Sequence, residues 1–296
     1  MEPMSNIIIA GGSGFLGRHI AIALRKRGFT VVTISRSATA GTDGSTQPWE
    51  ALPALVDGAH AVINLAGTHV GKERWSAQVR HDVLHSRLES TRKIVRAIQA
   101  AKHPPVLINT SAVGYYGNTM VPSNEAMGAG QTFLALVVKD WEREAMLASS
   151  VTRVVCLRVG VVLDSKEGAL PRLILPMKLG LGGPLGKGNQ WFPWIHIEDV
   201  IGAYVWAALN AEASGPYNVV APEAVTMRQM SKTLGNVLHR PSWLPVPTPI
   251  LRLILGRQAD IVAHGQYVVP ARLSGTTFKF KHPQLEEALR DIIRNG

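Results

Sequence analysis

The sequence predicts an α/β protein, with a doubly wound parallel sheet followed by a smaller and less regular C-terminal region. Three observations support this prediction. Short apolar runs alternate with helical patterns up to Leu163, a glycine-rich turn follows the first apolar run, and glycine and proline become frequent after Leu163. Strands that alternate with helices pair in parallel and are covered on both faces, so the alternating part should form the main sheet.

The first strand, turn and helix form one βαβ unit. Residues 6–10 are apolar after Asn6 and predict a strand buried on both faces. Apolar residues at helical spacing predict a helix over residues 18–27, which ends at Gly28 because glycine is common just beyond a helix. Residues 30–34, rich in Val, Thr and Ile, predict the second strand.

The alternation continues along the chain, where three further apolar runs predict strands and two longer segments predict helices. The strands lie at residues 61–65, 106–109 and 154–162, and the helices at residues 82–101 and 133–148. The chain then divides into a first domain, residues 1–165, and a second region, residues 166–296. Within the second region, residues 216–220 could form a strand that returns to the main sheet.

Composition and charge narrow the functional class. The 31 basic and 21 acidic residues give a net charge of +10. This charge is compatible with nucleic acid or an anionic ligand as a partner. No run of basic residues resembles a nucleic-acid-binding arm, and no apolar run reaches the roughly 18 residues that span a bilayer. We therefore expect no nucleic-acid partner and no membrane partner. The single cysteine, Cys156, lies in an apolar run and indicates a reducing compartment, so we expect a cytoplasmic protein.

The glycine-rich turn has the spacing of a dinucleotide-binding loop. Between a strand and a helix, the sequence places glycines in the pattern Gly-x-Gly-x-x-Gly. The first glycines permit a tight turn, the middle one lets the backbone approach a pyrophosphate, and the last allows the helix to pack on the strand. The predicted loop comprises Gly11, Gly12, Ser13, Gly14, Phe15, Leu16 and Gly17. Residues 1–165 are thus expected to form a Rossmann-like domain.

The end of the second strand predicts which dinucleotide binds. A site that prefers NAD usually carries Asp or Glu there, which accepts a hydrogen bond from the ribose 2′-hydroxyl. This chain has Ser35 and Arg36 instead. A guanidinium can bind a 2′-phosphate through paired hydrogen bonds and stack on adenine. The sequence therefore predicts NADP(H) as the cofactor.

Four motifs together resemble those of the extended short-chain dehydrogenases/reductases. They are the glycine loop, Asn-Leu-Ala-Gly at residues 64–67, Ser-Ala-Val-Gly-Tyr-Tyr-Gly at residues 111–117, and Trp-Ile-His-Ile-Glu-Asp-Val at residues 194–200. More narrowly, the chain resembles an atypical epimerase-family branch, described as nucleoside-diphosphate-sugar-epimerase-like or NADP-dependent oxidoreductases. Residues 245–289 resemble the small C-terminal domain of unknown function found in that branch.

The resemblance implies further cofactor contacts. Leu65, Ala66 and Gly67 would line the adenosine and ribose, and Val162 would approach the nicotinamide. Arg87 would contact a phosphate, although an arginine on a helix surface is an equal alternative. His196 and Trp194 fall on the substrate side. His196 could transfer a proton or frame the crevice, and the tryptophan could wall the pocket or belong to the core.

The resemblance breaks at the catalytic residues. Enzymes of this family pair a tyrosine with a lysine four residues later, whose charge lowers the phenol pKa and which binds the nicotinamide ribose. Lys139 stands at the lysine position, but Ala135 occupies the tyrosine position. Ser111 resembles the serine or threonine that orients the substrate. Tyr115 or Tyr116 could replace the missing acid, or could simply pack at the turn.

The sequence therefore predicts an NADP(H)-dependent oxidoreductase or epimerase-like enzyme that acts on a small molecule. Ala135 favours one alternative, a regulatory or sensor protein that binds NADPH without turnover. Residues 228–281 hold eight basic residues against one acidic residue, which fits either an anionic substrate or a plain basic surface. We expect no metal, because His81 and His85 have no third ligand at suitable spacing. Whether the chain forms a homo-oligomer stays open.

Overall fold

The computed structural model describes residues 6–36, 45–70, 75–247, 249 and 264–295. Its strands are β1 Asn6–Ala10, β2 Thr30–Ile34, β3 Thr46–Gln47, β4 Ala61–Asn64, β5 Val106–Ala112, β6 Thr119–Ser123, β7 Val154–Val159, β8 Val161–Leu163, β9 Trp191–Phe192, β10 Trp194–His196, β11 Gly215–Val219, β12 Val225–Thr226 and β13 Gln266–Val268. Its α-helices are α1 Phe15–Arg25, α2 Leu52–Val56, α3 Ala77–Ala100, α4 Phe133–Met146, α5 Leu170–Lys178, α6 Ile197–Leu209, α7 Met227–Leu238, α8 Ala271–Ser274 and α9 Leu285–Asn295.

The α/β fold class with a doubly wound parallel sheet is confirmed. In the described part of the chain, seven parallel strands form the main sheet in the order β11-β7-β5-β4-β1-β2-β3. The order reverses direction at β1, which pairs with β2 on one side and β4 on the other. In such sheets ligands bind at the carboxyl ends of the strands, where the order reverses.

The two faces of the sheet pack against different helices. Successive residues of a strand point to opposite faces, so Ile7 and Ile9 pack with α1 and α6, whereas Ile8 packs with α2 and α3. All three isoleucines are fully buried. This two-sided burial explains why β1 is a continuous apolar run rather than an alternating one.

Helices α1 and α3 both begin earlier in the chain than the spacing of their apolar residues predicts. Helix α1 begins at Phe15 because Gly14 adopts an extended conformation at the helix cap, so that Gly17 belongs to the first helical turn. Helix α3 begins at Ala77 because the Ser76 hydroxyl accepts a hydrogen bond from the Val79 amide at 3.1 Å.

The predicted strand at residues 154–162 is two strands. The chain turns at Gly160, where a Cβ atom would lie 2.3 Å from the Pro193 carbonyl oxygen. Strand β7 therefore stays in the main sheet, and β8 leaves it to pair with β10. This break directs the following residues toward the C-terminal region.

The C-terminal region packs around a separate apolar cluster. Leu163, Trp194 and Met230 belong to this cluster, together with Leu285 and Leu289 of helix α9. Strand β11 instead joins the main sheet at its edge beside β7. Of the domain assigned to residues 245–289, residues 248 and 250–263 lie outside the described residues. None of the described helices is both long enough and apolar enough to cross a membrane.

Candidate functional site

The glycine loop follows β1 and is shaped by close backbone contacts. Gly11 has φ of +81°, and a Cβ atom there would lie 3.0 Å from the Leu65 carbonyl group. A Cβ atom on Gly17 would lie 2.5 Å from Gly12 Cα, so this glycine lets helix α1 pack on the loop. Gly14 differs, since a Cβ atom there would meet only the Gly11 oxygen, at 3.3 Å. The space beside Gly14 is open to a ligand.

The loop leads into the N-terminus of α1, which can bind an anion. The Arg18 amide donates to the Gly14 oxygen at 3.0 Å and closes the first helical turn. The amides of that first turn have no intrahelical acceptor, and the helix dipole favours negative charge there. The Arg18 side chain donates to the Ser13 oxygen at 2.7 Å and forms an ion pair with Glu167. The chain therefore holds its loop in a shape that fits a pyrophosphate.

Ser35 and Arg36 lie at the carboxyl end of β2, next to this loop. Strands β1 and β2 are paired up to Ala10 and Ile34, so the residues that follow each strand are neighbours. The Ser35 amide donates to the Gln47 oxygen at 3.1 Å, which fixes the backbone, and the Arg36 side chain is exposed. A guanidinium at this edge lies where the 2′-phosphate of NADP would be bound.

Asn64 shapes the turn after β4, and sequence reasoning did not assign it a role. Its side-chain oxygen accepts from the Ala66 amide at 3.1 Å, and its nitrogen donates to Asn109 at 2.7 Å and to Thr91 at 2.9 Å. Asn64 is fully buried. These hydrogen bonds fix the turn that carries Leu65, Ala66 and Gly67. A polar residue at the end of an otherwise apolar strand was the signal that could have identified it.

Arg87 packs beneath that turn. Its guanidinium donates to the Val83 oxygen at 2.9 Å and to the Thr68 oxygen at 3.0 Å, and it lies 5.0 Å from the Trp141 ring. A Cβ atom on Gly67 would touch the Arg87 side chain at 3.1 Å. Burial lowers the pKa of Arg87 to about 10, and no described carboxylate forms an ion pair with it. A half-buried cation without an acidic partner fits an anionic ligand.

A buried ion pair lies between α4 and the sheet, on the side where the catalytic residues are predicted. Arg158 of β7 makes two hydrogen bonds of 2.8 Å to the Glu142 carboxylate. The Ser111 hydroxyl donates to the same carboxylate at 2.5 Å. Burial alone would lower the pKa of Arg158, but the hydrogen bonds and charge of Glu142 raise it above its ordinary value. The hydroxyl of Ser111 is therefore engaged inside the protein.

Sequence reasoning missed Glu142 and Arg158 as partners. The available signal was a charged residue in the middle of the apolar run Val154–Val159, because a buried arginine needs a carboxylate. The partner could not be identified from the sequence. It lies on another element, 16 residues away from Arg158.

Tyr116 extends this buried network toward the C-terminal region. Its hydroxyl accepts from Arg158 at 2.9 Å and donates to the Asn218 side chain at 2.8 Å. The Asn218 amide donates to Glu125, which also accepts from the Arg272 amide. Burial raises the pKa of Tyr116, although Arg158 opposes the shift. The Tyr116 hydroxyl thus connects the turn after β5 to β7 and β11 within the core.

Tyr115 has a different environment from its neighbour. Its ring lies over the Arg158 guanidinium, 3.5 Å from Cζ to the ring centre, and packs edge-on against Tyr116. The side chain is half-buried, and the hydroxyl has no hydrogen-bond partner in the described part of the chain. Tyr115 therefore presents a free hydroxyl close to the carboxyl end of β5.

Lys139 and Ala135 lie one helical turn apart on α4. Ala135 is fully buried, and Lys139 is exposed. Val162, which was expected near the nicotinamide, is half-buried in β8 and pairs with Ile195. A Cβ atom on Gly168 would lie 2.9 Å from the Val162 oxygen, so the residues after β8 fold back closely over it.

His196 and Trp194 are packed in the interior. The His196 Nδ1 atom accepts from the Glu198 amide at 3.1 Å and caps α6, and Nε2 lies 3.3 Å from the Asp291 carboxylate. Burial, together with His282, lowers the pKa of His196 to about 4. Trp194 is 1% exposed and donates to the Glu223 oxygen at 2.9 Å. His196 thus joins α6 to α9, and Trp194 belongs to the apolar cluster of the C-terminal region.

His196, Glu198 and His282 bring three potential metal ligands within 4.8 Å of one another among the described residues. Each of the three side chains already has a partner within the protein. The two imidazole rings are tilted by 30° with centres 3.7 Å apart, and Nε2 of His282 lies 3.4 Å from the Glu198 carboxylate. Nδ1 of His196 is already a hydrogen-bond acceptor, and Lys281 forms an ion pair with Glu198 at 3.1 Å.

Comparison with known proteins gives two matching families. The NAD dependent epimerase/dehydratase family matches residues 7–220, and a domain of unknown function, DUF1731, matches residues 246–292. The chain is 37% identical to the epimerase family protein YfhF of Bacillus subtilis, over 97% of this chain and 98% of that protein. It is 36% identical to the epimerase family protein SDR39U1 of Mus musculus, over 97% of this chain and 99% of that protein.

A solved structure shows the same architecture over its whole length. The crystal structure of the human epimerase family protein SDR39U1 (isoform 2), determined with NADPH, has a TM-score of 0.92 to this chain at 34% identity. The similarity covers 98% of this chain and 100% of that one. The resemblance to the epimerase-family branch with its C-terminal domain is therefore confirmed.

Proposed function

Since this chain belongs to the NAD dependent epimerase/dehydratase family, we propose that it is an NADP(H)-dependent oxidoreductase or epimerase-like enzyme. It exchanges a hydride between NADP(H) and the carbonyl or alcohol carbon of a small molecule. The observation that carries this proposal is the open glycine loop at the N-terminus of α1, with Arg36 beside it at the end of β2. The NADPH in the structure of the human relative supports the choice of cofactor.

Each segment of the proposed site would bind a different portion of the cofactor. Loop residues 11–17 would hold the pyrophosphate, Ser35 and Arg36 the 2′-phosphate, and the turn at residues 65–67 the adenosine side. Arg87, which is half-buried, supplies a second positive charge under that turn. Bound NADP(H) supplies or accepts the hydride. The chain itself has to orient the substrate and move one proton.

The catalytic assignments remain part of the proposal. Ser111 and Tyr116 have their hydroxyls engaged in the buried network, which supports a role in holding the site rather than in proton transfer. Lys139 is exposed and keeps its assignment as the counterpart of the family's lysine. The alternative, an NADPH-binding protein without turnover, is favoured by Ala135, because the usual acid is absent from α4.

We expect a small-molecule substrate with an anionic group. Of the basic residues in the C-terminal region, Lys281 is paired with Glu198 and Arg272 donates to two backbone oxygens. Arg228 and Lys232 are exposed on α7 and are available to attract an anion. We expect no nucleic-acid or membrane partner and activity in the cytoplasm, and the chain could act as a homo-oligomer.

Hydride transfer is the test of this proposal. NADPH is first shown to bind by its fluorescence, and a panel of anionic carbonyl compounds is then screened for NADPH oxidation beside neutral analogues of the same size. We expect at least one anionic compound to be reduced faster than its neutral analogue. Tight NADPH binding without oxidation by any compound would favour the regulatory alternative, and failure of NADPH to bind would contradict both.

A further inference from the structure

Two of the five tyrosines have side chains that are not buried. Tyr116, Tyr204 and Tyr217 are 6% exposed or less, whereas Tyr115 and Tyr267 are half-buried. Tyr267 stacks on a tryptophan of the C-terminal region at 4.0 Å. Tyr115 lies in the short turn Val113–Tyr116 that follows the carboxyl end of β5, the edge at which this fold binds its ligands. Only Tyr115 combines access with that position.

The ring of Tyr115 is held in place although its hydroxyl is free. The Arg158 guanidinium contacts the ring face at 3.5 Å, and two hydrogen bonds to Glu142 fix the guanidinium in turn. On the backbone, the Tyr115 oxygen accepts from the Gly130 amide at 2.8 Å. A phenol whose ring is fixed and whose hydroxyl points to no protein partner is suited to act on a ligand.

We propose that Tyr115 donates the proton to the substrate oxygen, and that Arg158 positions its ring. This inference rests on the proposed function and names the residue that replaces the tyrosine missing at position 135. Arg158 takes over part of the role of the family's lysine, because a cation on the ring face attracts the negative charge that develops as the proton leaves. Tyr115 is the catalytic residue, and Arg158 is a positioning residue.

The step balances without any further reactant. As the carbonyl carbon receives the hydride from NADPH, its oxygen gains electron density and takes the proton from the Tyr115 hydroxyl. The phenolic O–H bond breaks, the O–H bond of the product alcohol forms, and the carbonyl is reduced while NADPH is oxidised. Because Tyr115 is half-buried, water can return the proton to the phenolate.

A first experiment needs no turnover. Tetranitromethane nitrates accessible tyrosines, and peptide mass spectrometry identifies them. In the free protein we expect nitration at Tyr115 and Tyr267, but not at Tyr116. A concentration of NADP+ well above its dissociation constant should protect Tyr115 and leave Tyr267 modified. Equal nitration of Tyr115 with and without bound NADP+ would overturn the proposal, whether or not the enzyme has an identified substrate.

A second experiment uses a carbonyl compound that the wild type reduces. Removal of the acid in Tyr115→Phe should lower kcat about 100-fold or more, with the dissociation constant of NADPH unchanged. The matched control is Tyr267→Phe, the same chemical change at the other half-buried tyrosine, which should retain the wild-type kcat. Wild-type turnover by Tyr115→Phe would overturn the proposal.

Arg158→Lys tests the positioning role. Lysine keeps a charge toward Glu142 but cannot stack as a plane on the ring, so kcat should fall while the KM for NADPH stays the same. Lower thermal stability with an unchanged kcat would indicate a merely structural role. If NADPH binds but the wild type reduces no compound, the proposed function fails and this inference fails with it. If the wild type reduces a compound but bound NADP+ does not protect Tyr115 from nitration, the role of Tyr115 is contradicted and the proposed function is not.

Discussion

The proposed site has two halves, which differ in the residues that lie beneath them. The cofactor half contains the glycine loop and the turn at residues 65–67, and the catalytic half contains Ser111, Tyr115 and Tyr116. Under the cofactor half, glycines remove side chains so that backbone amides are exposed, and the half-buried Arg87 has no acidic partner among the described residues. Under the catalytic half, the buried charge is neutralised internally, because Arg158 is paired with Glu142 and hydrogen-bonded to Tyr116. The first half is arranged to receive an external anion. The second is complete without one, and of its two described tyrosines only Tyr115 has a free hydroxyl.

The contrast shows how one part of a fold can change while another is retained. Phosphate binding depends on backbone geometry, which tolerates few substitutions at the glycines. Proton transfer depends on one hydroxyl near the reacting atom, which a different element of the fold can supply. In this chain α4 carries Ala135 at the position of the family's tyrosine and a buried carboxylate, Glu142, one turn beyond Lys139.

The largest expected effect comes from breaking the buried pair of the catalytic half. Glu142→Ala leaves the Arg158 charge buried without its partner, which should lower the free energy of unfolding by about 3–5 kcal/mol. The control is Glu144→Ala on the same helix, which removes an ion pair with the partly exposed Arg92 and should cost about 1 kcal/mol or less. Urea denaturation measures both. Equal losses of unfolding free energy in the two variants would show that the buried pair stabilises the protein no more than the exposed one.

Acid should weaken the packing of the C-terminal region through His196. Its pKa is about 4 in the folded protein and 6.5 as a free side chain, so the unfolded chain binds more protons between these values. Stability should therefore fall by up to about 3 kcal/mol as the pH drops from 6.5 to 4. His196→Asn keeps a cap for α6 without a titrating group and should flatten this dependence. An identical pH profile in the variant would contradict the assignment.

Alanine substitutions at Gly17 and Gly14 should separate the effect of helix packing from the effect of cofactor binding in the cofactor half. In Gly17→Ala the Cβ atom collides with Gly12, so stability should fall by about 1–3 kcal/mol. In Gly14→Ala it meets little of the protein and stability should fall by about 1 kcal/mol or less, while the dissociation constant of NADPH rises about tenfold or more. Calorimetry with and without NADPH checks both. Unchanged NADPH affinity in Gly14→Ala would show that the pyrophosphate does not lie there.

The sequence was most informative where function depends on local geometry. The alternation of strands and helices predicted the parallel sheet, and the glycine spacing predicted the tight turn between β1 and α1, because a strand, turn and helix are contiguous in the chain. Helix starts were less accurate, since the caps at Gly14 and Ser76 lie outside the apolar pattern.

The catalytic half could not be read from the sequence for a physical reason. The hydroxyl groups of Ser111 and Tyr116 are engaged by Glu142, Arg158 and Asn218, which come from three different elements. Adjacent tyrosines look equivalent in a sequence. In the structure one turns its hydroxyl into the core and the other keeps it free, because they lie on different faces of the short turn Val113–Tyr116.

The dissociation constants of NADPH and NADH, measured for the wild type and for Arg36→Ala, test the central claim most directly. If the first half is arranged for a 2′-phosphate, the wild type binds NADPH more tightly than NADH, and Arg36→Ala loses about 2 kcal/mol with NADPH alone, roughly 30-fold. Equal affinity of the wild type for the two cofactors, or an equal loss for both in the variant, would contradict the account.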